Sequence, residues 1–120
     1  MSERNVELAR AGFEAASRGD FEVIGELLAE DVRWHGGDPD ASGSCANREQ
    51  ALAFLRGRAA RRPGPLPQLV DVIDAVDQVV VVMRLPTGEQ IANLTTFRDG
   101  KVVEMVHYPD PAAALAAVGR

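Results

Sequence analysis

The strongest constraint on the fold lies in the second half of the chain. Four strand-patterned segments, 69–75, 79–85, 90–97 and 101–108, are separated by three short connections. These are Val76-Asp77-Gln78, Pro86-Thr87-Gly88-Glu89 and Arg98-Asp99-Gly100. A parallel crossover needs about a dozen residues or more, so consecutive strands here must pair antiparallel as hairpins. Val79-Val80-Val81-Val82 is apolar at every position, which requires cover on both faces of that strand. Helices supply one cover, and a partner subunit against the outer face is expected to supply the other.

The first half reads as helices. Val6, Ala9, Phe13 and Ala16 recur at three- and four-residue steps and define an amphipathic helix over 3–18. Ser2 can cap its start and Gly19 can end it. Asp20 caps a second helix, with Phe21, Ile24, Leu27 and Leu28 inward, which should stop near Ala29 or Glu30. Val32-Arg33-Trp34 is a short strand broken by Gly36-Gly37, and 36–46 is a loop. Asn47 and Gln50 have capping-box spacing and open a third helix to about Ala60, with Ala51, Leu52 and Leu55 inward. Pro63-Gly64-Pro65-Leu66-Pro67 then forces an extended connection. Asp110 caps, and Pro111 starts, a last helix through Val118, closed by Gly119.

This order predicts one α+β domain spanning 1–120, a cone-shaped curved antiparallel sheet wrapped over three N-terminal helices with a short C-terminal helix. Such a cone leaves space for a small apolar ligand. At 120 residues the chain can bury roughly two thirds of its unfolded surface and needs no disulfide or metal staple. A net charge of −5 argues against a nucleic-acid partner. No apolar run approaches the length of a membrane span, and the polar N-terminus lacks a secretory pattern, so cytoplasmic residence is expected. The single cysteine, Cys45, excludes an internal disulfide and is read as an exposed thiol in a polar loop. Arg56, Arg58, Arg61 and Arg62 read as a solvated helix end. No phosphate-cradling Gly-rich loop follows a strand, so no cofactor is expected. Two histidines with scattered acids do not supply the converging ligands of a zinc site, so no metal is expected either.

The chemistry rests on two histidines, His107 and His35. Alternation along 101–108 puts Val103, Met105 and His107 on one face and Val102, Glu104, Val106 and Tyr108 on the other. The His107 face is taken as the pocket. An imidazole there can serve as general base or acid near neutral pH, or can simply hydrogen-bond a ligand or a backbone carbonyl. His35 follows Trp34, so if Trp34 faces inward His35 faces away unless Gly36-Gly37 kinks the strand. Asp38 can reach the pocket entrance from its loop, although turn formation also accounts for it. Asn93 can offer an amide to a substrate carbonyl, or make a cross-strand hydrogen bond. Arg84 is a second polar candidate, with a solvated rim position as its alternative. Trp34, Met105 and Phe13 complete the candidate substrate-binding set, and Glu104 is expected on the outer face, paired across a dimer interface.

Several segments together resemble the nuclear-transport-factor-2-like superfamily, in its SnoaL-like branch of polyketide cyclases and relatives. They are Arg18-Gly19-Asp20-Phe21, Val32-Arg33-Trp34-His35-Gly36, Arg48-Glu49-Gln50-Ala51, Phe97-Arg98-Asp99-Gly100-Lys101-Val102 and Tyr108-Pro109-Asp110. The resemblance implies a small-molecule pocket, commonly with homodimerisation through the outer sheet face. It implies a proton-transfer isomerase, cyclase or dehydratase acting on a ring-containing apolar substrate, with His107 as base, or a non-catalytic ligand-binding domain. The stretch from Leu85 to Gly88 also resembles limonene-epoxide hydrolases, but their Asp–Arg–Asp set corresponds here to Gln78, Val80 and His107. The general-base aspartate of ketosteroid isomerases corresponds to Gly36, with His35 before it and Asp38 two residues on. A protein-interaction module built on the outer sheet face is a further, weaker reading.

Overall fold

The computed structural model describes residues 3–35, 45–61 and 67–119. The elements run α1 (Glu3–Arg18), α2 (Phe21–Leu27), β1 (Leu28–His35), α3 (Arg48–Arg61), β2 (Gln68–Ala75), β3 (Gln78–Arg84), β4 (Gln90–Arg98), β5 (Lys101–Tyr108) and α4 (Pro111–Ala117). The five strands form one curved, open sheet of order β1-β5-β4-β3-β2. β2 to β5 are the antiparallel meander that their short connections require. Asp99 and Gly100, at φ 53° and 78°, supply the left-handed pair that a two-residue hairpin favours.

The helix boundaries follow capping chemistry. Gly19 leaves α1 at φ 70°, and Asp20 accepts the Val23 N–H at 3.3 Å to start α2. Asn47 accepts the Gln50 N–H at 2.9 Å, while Gln50 Oε1 reaches one residue beyond the usual box and accepts the Ala46 N–H. Asp110 accepts the Ala112 N–H at 3.0 Å, with Pro111 opening α4. The proposed cap at Ser2 and the glycine break at 36–37 lie outside the described residues.

Three features depart from the sequence reading. First, α2 stops at Leu27 and β1 begins immediately, because Leu28 turns to extended backbone at ψ 136°. β1 pairs parallel to β5, through Leu28↔Val102 and then Arg33↔Glu104, Trp34↔Met105 and His35↔Val106. A pairing so distant in sequence leaves no local signature, which is why the short strand at 32–34 grows to eight residues.

Second, the outer cover of β3 comes from the chain itself. Ala114 of α4 is fully buried, and with Leu115, Val118, Tyr108 and Ile73 it packs over Val80, Val82, Ala92 and Leu94. Burying each of the two valines contributes on the order of 1.5–3 kcal/mol. The continuous apolar run therefore needs no partner subunit to explain it.

Third, Cys45 is buried rather than exposed. Its N–H and C=O both bond Trp34, at 2.8 and 3.0 Å, and this bridge draws the residue into the core. Burial pushes its thiol pKa up.

The main core lies between the helices and the concave face of the sheet. Val79, Val81 and Met83 of β3 point into it, with Ile91 and Phe97 of β4, Val102 of β5, Ala15 of α1 and Ile24 of α2. Among the described residues no helix is long and apolar enough to cross a membrane.

Candidate functional site

A cavity of about 400 Å³ opens inside the cone. α1 contributes Ala9, Gly12, Phe13 and Ala16, one face of the stripe that makes it amphipathic. α2 and α3 add Phe21, Ile24 and Leu55, and β1 adds Trp34. The opposite wall is formed by alternate residues of three strands: Val81 and Met83 of β3, Asn93, Thr95 and Phe97 of β4, and Met105 and His107 of β5. Among the described residues no acidic or basic side chain other than His107 lines it. Its volume and apolar character suit a small, uncharged molecule.

The polar contacts converge on one strand pair. Asn93 and His107 are register partners on β4 and β5. Asn93 Oδ1 lies 3.0 Å from His107 Nδ1. With the amide oxygen as acceptor, Nδ1 carries the proton of that hydrogen bond. A side-chain partner directly opposite the ring orients it within the cavity wall.

A bulge changes which valine of β5 faces inward. Thr96 pairs with Glu104, but Phe97 pairs with Val102, so Val103 is the extra residue. Strict alternation had placed Val103 beside Met105 and His107. The bulge instead turns Val102 into the cavity and leaves Val103 at the outer edge beside Thr96 and Arg98.

Five of the eight residues expected at the site line the cavity: His107, Asn93, Trp34, Met105 and Phe13. His35 does not. With Trp34 inward, alternation sends His35 to the outer face, where Nε2 lies 3.5 Å from Glu104 Oε2. Glu104 is thus on the outer face as expected, with a partner in its own chain. Arg84 is exposed at the end of β3, opposite Gln68 and Gln90, and does not line the cavity. Asp38 lies outside the described residues. The epoxide-hydrolase correspondence also dissolves: Gln78 bonds Thr96 Oγ1 at 3.1 Å and Val80 packs under α4, both away from the His107 face. Among the described residues no group of three potential metal ligands occurs.

Two polar lining residues escaped the sequence reading, Thr95 and Ser17, the latter donating its hydroxyl to the Phe13 carbonyl at 3.0 Å. Thr95 is two residues from Asn93 and shares its face, so period-two alternation from Asn93 would have found it. As a β-branched residue inside a strand, it reads as an ordinary strand former.

These elements define a helix-and-sheet cone holding a pocket, and the chain belongs to the SnoaL-like domain family, whose model matches residues 9–105. Solved structures share the fold. Bal32a, from a soil-derived mobile gene cassette, is 24% identical with a TM-score of 0.76, covering 89% of each chain. IdmH from Streptomyces antibioticus, a proposed polyketide cyclase, is 25% identical with a TM-score of 0.68, covering 98% of this chain and 99% of its own. TerC, co-crystallised with polyporic acid, is 21% identical with a TM-score of 0.72, covering 98% of this chain and all 100% of its own. Among curated proteins none matches this sequence.

Proposed function

We propose that the protein binds a small, ring-containing, mostly apolar molecule in the cone and moves a proton on it, with His107 as the base. The observation that carries this is the Asn93–His107 pair at 3.0 Å, set into a cavity walled mostly by aliphatic and aromatic side chains. Asn93 fixes the ring and its tautomer, and the surrounding apolar wall leaves the half-buried imidazole as the titratable group at the cavity surface among the described residues. Isomerisation, cyclisation and dehydration of a ring ketone all begin with such a proton transfer. Family membership, a relative proposed to be a polyketide cyclase and another co-crystallised with polyporic acid support this reading.

The test is α-proton exchange of a bicyclic ketone, 2-tetralone, in deuterated buffer, followed by NMR. The protein should accelerate exchange, and His107→Ala should remove on the order of 100-fold or more of that acceleration. His107→Ala with undiminished exchange overturns the role of His107.

A second reading, a binding domain without chemistry, is favoured by one specific observation. Among the described residues the cavity presents no carboxylate, the group with which better-known members of this superfamily work. Tetralone that binds without faster exchange selects this reading. Self-association through the outer sheet face is a separate proposal. It concerns surface that α4 leaves uncovered, and sedimentation velocity tests it.

A further inference from the structure

Thr95 is only 2% exposed, and its hydroxyl has no hydrogen-bond partner. Its register partners, Val79 on β3 and Met105 on β5, are apolar and offer it none. A buried hydroxyl without a partner destabilises a fold, whereas valine at the same place would keep the shape without that cost. Valine already occupies the neighbouring register position at Val79, so the environment accepts it. Thr95 lines the cavity, so a group held there stands next to it.

We infer that Thr95 is a second polar anchor for the ligand, and that the ligand is a flat, uncharged ring molecule bearing two hydrogen-bonding oxygens. One oxygen meets the Asn93–His107 pair and the other meets the Thr95 hydroxyl. Thr95 sits two residues along β4 from Asn93 on the same face, so the two anchors are spaced by roughly 7 Å. A threonine hydroxyl both donates and accepts, so it serves a carbonyl or a hydroxyl oxygen equally. No carboxylate, lysine or arginine lines the cavity among the described residues, so the ligand's oxygens are neutral carbonyl or hydroxyl groups. This inference rests on the reading of the cavity as a ligand site and adds the polarity pattern that the ligand must carry.

The test compares three probes of one shape, naphthalene, 2-naphthol and naphthalene-2,6-diol, by NMR titration of the wild-type protein and of Thr95→Val. On the wild type, affinity should rise at each step, with the diol about 10-fold tighter than the mono-ol, as expected for one added buried hydrogen bond. In Thr95→Val that last step should vanish, so that the diol and 2-naphthol bind the variant equally. The ligand-free variant should also melt higher, by about 3–6 °C, because it no longer buries an unsatisfied hydroxyl. A diol preference that survives Thr95→Val, or a diol no tighter than 2-naphthol on the wild type, overturns the inference and leaves the cavity reading intact. Failure of all three probes to bind the wild type overturns the cavity reading and the inference with it.

Discussion

Asn93 and His107 stand directly opposite each other on adjacent antiparallel strands, joined through Oδ1 and Nδ1 at 3.0 Å. Asn93→Asp would set a carboxylate against the imidazole. An opposite charge at that distance favours the protonated ring, so the His107 pKa should rise in the variant relative to wild type. A base acts only when deprotonated, so the acid limb of any His107-dependent rate should move to higher pH by the same amount. Imidazole NMR shifts followed against pH check the direction. A titration identical to wild type would refute the pairing.

The bulge on β5 predicts unequal costs at two neighbouring valines. Val102 is buried against the main core and Val103 is only half-buried. Val102→Ala should destabilise the fold by about 1.5–3 kcal/mol, and Val103→Ala by less than about 1 kcal/mol. Urea denaturation of the two variants measures the difference. The reverse order would mean that β5 alternates without a bulge.

Val76 occupies the first position of the two-residue β2–β3 connection with φ at 67°, and it is exposed. A β-branched residue is strained there, by roughly 1–2 kcal/mol. Val76→Gly removes the strain but makes the unfolded chain more flexible, an opposing term of about 0.4–1 kcal/mol. The net expectation is a gain of about 0.5–1 kcal/mol, visible as a higher urea midpoint with an unchanged slope.

Burial raises the Cys45 thiol above its ordinary pKa of 9.0. The folded chain therefore holds this proton at pH values where the unfolded chain has lost it. By linkage, its contribution is present below the unfolded pKa and is lost as pH rises past 9.0. At neutral pH the thiol should react with a maleimide at least about 10-fold more slowly in the native protein than in denaturant. Replacing Cys45 with Ala should flatten the alkaline decline in stability. A decline that survives the substitution assigns it to another group.

Local chemistry made much of the fold readable. Asp20, Gly19, Asp110 and the Asp99-Gly100 turn each act within a few residues, so their effects are written next to them. Long-range pairing is written nowhere locally. Parallel docking of β1 on β5 extended a strand that looked three residues long, and the bulge at Val103 shifted an alternation that sequence can only assume. Packing of α4 on Val80 and Val82 likewise replaced an expected partner with a segment of the same chain. At the site, period-two alternation along β5 puts Met105 and His107 on the face that lines the cavity, Asn93 stands out as a polar interruption in its strand, and Trp34 inward sends His35 to the other face. Thr95 shares the Asn93 face by the same alternation, but it reads as an ordinary strand former, and burial alone reveals that its hydroxyl lacks a partner.

The parallel docking of β1 on β5 has a consequence for how the pocket comes into being. Trp34 stands on one wall and Met105, its register partner, on the next, yet most of the chain separates them. Contacts between such distant segments form late, after the loop-closure entropy between them has been overcome. The cavity is thus a product of the completed tertiary structure, since its walls come from both halves of the chain. A ligand should protect backbone amides across the whole sheet from hydrogen exchange, and a chain cut between α3 and β2 should regain binding only when its two pieces reassociate.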